Sequence, residues 1–179
     1  MELENLQKVI KNKLKNLKEL KKIRFSSNKK MVFLPGCFDV LHPDHFLLFA
    51  WAKSLGDYLV VATNSDASIR KLKGKNRPVV PLKQRIIMLA SNGFIDYIIV
   101  FKETNTVKLL KALKPQVYAK GPDYVLDKSF LKKNDKRKVM NQEERKIVES
   151  YGGEIKFRPG SFNYSTTKLL KKIQTFFRD

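Results

Sequence analysis

Cys37 is the only cysteine in the chain, so no internal disulfide can staple the fold, and a reducing cytoplasm is the compartment this usage suits. With no separate base apparent for it, Cys37 reads as a small turn or core residue rather than a nucleophile. No apolar run approaches the ~20 residues that a membrane-spanning helix needs. Lysines interrupt the apolar positions of the N-terminus throughout, so no secretory leader is expected. Acidic residues are scarce, 17 against 37 lysines and arginines, for a net charge of +20. That balance invites a nucleic-acid reading, but the chain has no zinc-finger spacing, RRM signature or helix-turn-helix pattern. Its lysines are spread along the whole length instead of gathering with arginine and aromatics. Weak, salt-sensitive, nonspecific binding to nucleic acid is expected from charge alone, and no specific nucleic-acid partner.

What is present suits one α/β domain. At 179 residues with 42% hydrophobic residues the chain can fill a sizeable core. Short segments rich in β-branched or aromatic residues, 31–34, 58–63, 97–101, 116–120 and 154–157, read as strands. Between them 43–55, 81–92, 106–113 and 142–151 carry helical periodicity. Asn141 and Glu144 have the spacing of a capping box. Apolar strands separated by crossover helices predict a Rossmann-like, doubly wound parallel sheet of about five strands. Leu3, Leu6, Ile10, Leu14, Leu17 and Leu20 predict an N-terminal amphipathic helix, so that residues 1–30 form a helical extension and 31–179 the main domain. That helix is expected to pack on the domain or on a second subunit, the latter in keeping with a homodimer. Residues 127–140, charged and without a clear period, read as a long mobile loop.

The only two histidines, His42 and His45, fall inside one decapeptide, Gly36-Cys37-Phe38-Asp39-Val40-Leu41-His42-Pro43-Asp44-His45. It follows a strand and leads into a helix whose first turn holds Pro43, a favoured place for proline. A helix N-terminus offers unpaired N–H groups and the positive end of a dipole, a ready site for phosphate. Imidazoles three residues apart share one helix face and could meet one phosphate together. A His-x-x-His pair can also bind zinc, though Cys37, Asp39 and the histidines do not follow a structural zinc spacing. A pair of surface histidines is the plainer alternative. Asp39 fits a turn-stabilising Asx residue and an active-site residue equally well.

The decapeptide resembles the Gly-x-Phe-Asp-x-x-His-x-Gly-His signature of the cytidylyltransferase-like nucleotidyltransferases. Further segments match in order and spacing: Asn64-Ser65-Asp66, Leu72-Lys73-Gly74, Arg77-Pro78-Val79, Gln84-Arg85, Lys120-Gly121 with Asp123-Tyr124, and Ser165-Thr166-Thr167-Lys168. Together they are similar to the branch formed by the adenylyltransferase domains of ADP-heptose synthases. The resemblance implies transfer of AMP from ATP to a sugar phosphate such as heptose 1-phosphate, with release of pyrophosphate and with Mg²⁺ accompanying the nucleotide. Related branches use CTP with glycerol or ethanolamine phosphate, so CTP and a polyol acceptor stand as the alternative. A catalytically weakened relative that only binds or scaffolds is the alternative of another class. Catalytic roles fall to His42, His45 and Lys53. Nucleotide contacts fall to Gly36, Cys37, Phe38, Asp39, Asp44, Lys120, Ser165, Thr166 and Thr167. Acceptor contacts fall to Asn64, Asp66, Arg77, Arg85 and Asp123, and no protein-held metal is implied. Asp44 stands where the family has glycine between the histidines, and Pro122 where the branch commonly has glycine.

Overall fold

The computed structural model describes residues 3–132, 134–160 and 166–176. Five parallel strands form the main sheet: β1 (Met31–Gly36), β2 (Tyr58–Asn64), β3 (Tyr97–Phe101), β4 (Val117–Lys120) and β7 (Glu154–Phe157). Their spatial order is β3-β2-β1-β4-β7. β1 and β2 register from Met31 opposite Tyr58 to Gly36 opposite Thr63. The chain winds outward on one side of β1 and returns on the other, which sets the topological switch between β1 and β4.

Alternation along each strand feeds two cores. Met31, Phe33, Val60, Ala62 and Tyr118 face one side with Leu109, Leu110 and Leu113 of α6 (Val107–Leu113) and Val148 of α7 (Gln142–Ser150). Val32, Leu34, Leu59, Val61, Val117 and Ala119 face the other, where α3 (Pro43–Lys53) brings Leu48, Phe49 and Ala52 and α5 (Leu82–Ala90) brings Leu89 and Ala90. Each fully buried aliphatic or aromatic side chain contributes about 1.5–3 kcal/mol of transfer free energy, so this double coverage drives the fold.

The N-terminal segment forms two helices, not the single one its leucine spacing predicts: α1 (Leu3–Lys13) and α2 (Leu17–Phe25). The break is built by Asn16, whose side chain accepts from Glu19 N at 3.0 Å while Glu19 Oε2 accepts from Asn16 N at 2.8 Å, a complete capping box. Between the helices Leu14 bridges to Ile98 and Lys15 N donates to Ile98 O at 2.9 Å. The segment thus lies along the outer edge of β3 and covers part of an otherwise open strand. Its leucines divide accordingly, Ile10 and Leu14 packing on one core and Leu17, Leu20 and Ile23 on the other.

One more local reading is corrected and one helix is added. Residues 127–140 contain a 3₁₀ turn (Lys128–Phe130) and the strand β6 (Lys138–Val139), which pairs in parallel with β5 (Tyr124–Val125). Lys138 N donates to Asp123 O and Met140 N to Val125 O, at 2.7 and 2.9 Å. A two-residue strand is too short for periodicity to reveal. Asp66–Lys73 forms the helix α4, capped by Ser65, although only Ile69 of it is a buried hydrophobic, which leaves little apolar signal to read.

Candidate active site

The turn after β1 is shaped by aromatic packing. A Cβ at residue 36 would stand 2.6 Å from the Phe38 ring, so glycine is what lets the ring fold back beneath the strand end. Phe38 has φ 43°, a left-handed conformation, and its ring packs 5.2 Å from Phe49 and 5.6 Å from His45. His42 caps α3 in extended conformation and Pro43 opens its first turn, as the sequence predicts. His45, one turn along, accepts from His42 N through Nδ1 at 3.3 Å, and the two rings lie 3.9 Å apart. His42 Nδ1 is buried and has no hydrogen-bond partner among the described residues. Burial lowers the pKa of His42, against an opposing pull from Asp44. His45 falls to about 3, through burial first and then the nearby His42 and Lys73, with Asp44 again opposing. Both rings therefore rest neutral near pH 7.

Behind this turn is a polar lattice that takes several residues away from substrate. Arg85 is fully buried. Its Nε donates to Val80 O, Nη1 to Cys37 O and Thr63 Oγ1, and Nη2 to Asn64 O and Asp66 Oδ1. All five N–H donors of the guanidinium are thereby used. The expectation that Arg85 meets the acceptor is corrected: it ties the ends of β1 and β2 to α4 and α5. Asp66 is committed to the same tie, its Oδ2 also accepting from Leu82 N at 3.2 Å. Asp39 receives Arg77 Nε and the backbone N–H groups of Val79 and Val80, at 2.8 and 2.9 Å for the last two. It pins the 77–80 segment across the turn, which also occupies the Nε of Arg77.

Lys53 is corrected for a different reason. It ends α3, an 11-residue helix that separates it from His42 by roughly 15 Å of rise. Its Nζ lies 2.7 Å from both Asp96 Oδ2 and Asp57 O. Lys53→Ala should leave turnover unchanged and cost about 0.2–1 kcal/mol of stability, the scale of a part-exposed ion pair. Steady-state kinetics beside a urea melt checks this, and a large fall in kcat would return Lys53 to the site.

The remaining residues converge. A cavity of about 400 Å³ opens at the carboxyl ends of the strands, beside the β1/β4 switch. Gly36, Cys37, Phe38, Asp39 and His45 line it from the β1–α3 turn, and Asn64 from the end of β2. Lys120, Gly121 and Asp123 line it from β4, and Thr166 from the start of α8 (Thr166–Phe176), where Thr166 Oγ1 donates to Val40 O at 3.3 Å. Asn64 is fixed by donating to Ser68 Oγ at 2.9 Å and to Glu103 O at 3.3 Å. His42 stands behind His45, outside the lining. Asp44, Asp66, Arg77 and Arg85 are likewise not among the lining residues. Asp44 acts instead through its charge on the imidazoles. Thr167 is the second residue of α8, and Ser165 lies outside the described residues.

Other side chains in the wall were not singled out by sequence reasoning: Lys73, Thr106, Tyr124, Lys138 and Glu144. Lys73 sits in the Leu72-Lys73-Gly74 match, so a signal existed there. Lys138 was hidden in the segment read as a loop. Glu144 was read as the return half of a capping box. Asn141 does accept from Glu143 N and Glu144 N, but the Glu144 carboxylate turns inward to Thr106, Tyr118 and Lys120.

A doubly wound sheet with a strand-end cavity at its switch point is the framework of an α/β ligand-binding domain of the kind that holds nucleotides. The family model described as "Cytidylyltransferase-like" matches residues 33–172, and the chain belongs to that family. It is 40% identical over 164 residues to the Bifunctional protein HldE of Geobacter sulfurreducens, covering 90% of this chain and 31% of that protein. It is 39% identical over 151 residues to the protein of the same name from Helicobacter pylori strain 26695, with 84% of this chain and 29% of the relative covered. The chain thus spans under a third of the length of these relatives. Among solved structures, the lipopolysaccharide core biosynthesis protein of Thermoplasma volcanium superposes with a TM-score of 0.57 at 24% identity, over 76% of this chain and all of that one. Pantoate-beta-alanine ligase from Francisella tularensis, with TM-score 0.52 at 16% identity over 93% of this chain and 79% of that one, shares the fold. Among the described residues no helix is long and apolar enough to cross a membrane.

Proposed function

We propose that this chain is an adenylyltransferase that moves AMP from ATP to a sugar phosphate of the heptose 1-phosphate type and releases pyrophosphate. The observation that carries the reading is the meeting of the histidine turn, the β2 end and Lys120 on one cavity at the switch point. The resemblance of the motifs to ADP-heptose synthase domains supports ATP and a heptose phosphate over CTP and a polyol phosphate.

In such a transfer an acceptor phosphate oxygen attacks the α-phosphorus in line, and pyrophosphate departs on the opposite side. The protein supplies position and charge rather than covalent chemistry. The first turn of α3, with the positive end of its dipole and His45, receives the triphosphate, and His42 backs that ring. A neutral imidazole can donate one N–H to a phosphate oxygen, and that bond strengthens as charge builds in the pentacoordinate state. Lys73 stands close enough to His45 to depress its pKa, which suits it to the same phosphates. Thr166 lines the cavity from another side, and its hydroxyl with the N-terminus of α8 would hold the leaving pyrophosphate. Asn64 and Asp123 are left for nucleoside or acceptor hydroxyls.

No group of three His, Cys, Asp or Glu among the described residues could cage a cation. Asp39 is engaged by Arg77 and Glu144 by Lys120, which leaves Asp123 as the carboxylate facing the cavity. That donor set fits a Mg²⁺ carried mainly by phosphate oxygens and water, with at most Asp123 beside it. Bound there, the ion would supply charge neutralisation of the triphosphate. Incubation with each NTP, Mg²⁺ and a panel of phosphorylated sugars and polyols, scored by pyrophosphate release, tests the reading. Release with ATP and a heptose 1-phosphate is expected. Release only with CTP and a polyol phosphate, or none with any pair, would overturn it.

A further inference from the structure

β4 ends in Lys120, a lysine only 8% exposed that borders the cavity. A buried ammonium is costly unless paired. Its partner is Glu144, the third residue of α7 and itself 4% exposed. Glu144 Oε2 accepts from Lys120 Nζ at 3.2 Å and from Tyr118 OH at 2.7 Å, while Oε1 accepts from Thr106 N and Thr106 Oγ1, each at 2.8 Å. One carboxylate therefore joins β4 to the N-termini of α6 and α7. The ammonium is also held beneath two phenol rings, 4.8 Å from the centre of Tyr118 and 5.0 Å from that of Tyr124, a favourable cation–π arrangement.

Glu144 is the one hydrogen-bond partner of that ammonium among the described residues. A lysine carries three donors, and the other two have no hydrogen-bond partner among the described residues. We propose that Glu144 is a positioning residue: it keeps Lys120 charged and aimed so that these two donors grip a phosphate oxygen of the bound substrate. This rests on the transferase reading above. A structural tie alone would need no cation at the cavity wall, since Thr106 and Tyr118 already give each carboxylate oxygen a donor. The other titratable or charged groups around Lys120 are Asp123 from the following turn, Tyr118 and Tyr124 from β4 and β5, and Lys138 from β6, whose Nζ lies 5.9 Å from the Tyr124 ring. Burial lowers the pKa of Lys120, and Glu144 and then Asp123 oppose it. Removing the Glu144 charge should let Lys120 lose its proton at a lower pH.

The test is Glu144→Gln, a near-isosteric change. Its kcat/KM should fall about 10- to 100-fold near neutral pH, the scale of a lost hydrogen bond to a charged group, and the alkaline limb of its pH profile should move to lower pH. The double variant Glu144→Gln, Lys120→Arg, whose guanidinium stays charged, should lose that limb. An equal loss at every pH with an unmoved limb would make Glu144 structural only and overturn the proposal. A second measurement needs neither activity nor a variant that folds. In the wild-type protein, the side-chain amine resonance of Lys120, assigned by its absence in Lys120→Arg, should shift when ATP or inorganic pyrophosphate is added. A resonance that moves with neither probe, in protein shown by calorimetry to bind ATP, overturns the proposal while the transferase reading stands. Absence of ATP binding altogether would count against that reading instead.

Discussion

Arg85→Ala should be strongly destabilising, costing about 3–5 kcal/mol, the scale of breaking a buried hydrogen-bond network. A domain of ordinary stability has about 5–15 kcal/mol in total, so the variant should melt at much lower urea or not accumulate. The cause is arithmetic of donors and acceptors. The guanidinium satisfies Val80 O, Cys37 O, Thr63 Oγ1, Asn64 O and Asp66 Oδ1 together. Alanine leaves all five acceptors facing a void, and Asp66 loses its counter-charge. Arg85→Lys should recover little, because an ammonium is a compact point donor and cannot reproduce the planar fork. The damage should reach the site as well, since Cys37 and Asn64 line the cavity. Equilibrium urea unfolding of both variants is the measurement, and a lysine variant as stable as wild type would refute the account.

The layering of the fold was legible because parallel strands buried on both faces are near-continuous apolar runs; β1 to β4 stand where such runs predict them, and the edge strand β7 stands where its alternating Ile155 and Phe157 do. The histidine turn was legible for another reason: a strand, a turn and Pro43 leave few other geometries. Arg85 and Lys53 show the limit. A sequence position reveals which end of an element a charge occupies only when the element's bounds are known, and nothing in the residue type says whether its donors face substrate or backbone. Arg85 sits in the first turns of α5, close to the site in space, yet it is turned wholly inward. Glu144 failed in the opposite direction, since local capping chemistry explained it adequately and masked a contact with a residue 24 positions earlier. The break after Lys13 was missed because a leucine stripe continued across it, while the deciding signal was the short-range Asn16–Glu19 pair.

His45→Ala should lower turnover by about 10²-fold or more with little loss of folded protein at neutral pH, because it removes a group placed to stabilise charge on the reacting phosphate, and His42→Ala should lower it too, by loosening the ring that His42 backs. If both single variants turn over like wild type, the proposed site is wrong. The ionisation state gives a sharper expectation. An ordinary histidine titrates near ~6.5, but His45 is held to about 3 by burial, His42 and Lys73. The kcat/KM profile should therefore show no histidine limb of its own near that pH, and a clear one there would mean the free enzyme holds His45 charged. Stability carries the same signature. A folded-state pKa below the unfolded value means that the neutral ring's contribution is complete above the unfolded pKa. It is lost as pH falls through the window from ~6.5 toward about 3. Wild type should lose stability across that window, and His45→Ala, with no imidazole to charge, should lose less. Urea midpoints at several pH values compare the two, and parallel curves would mean that His45 is not buried neutral.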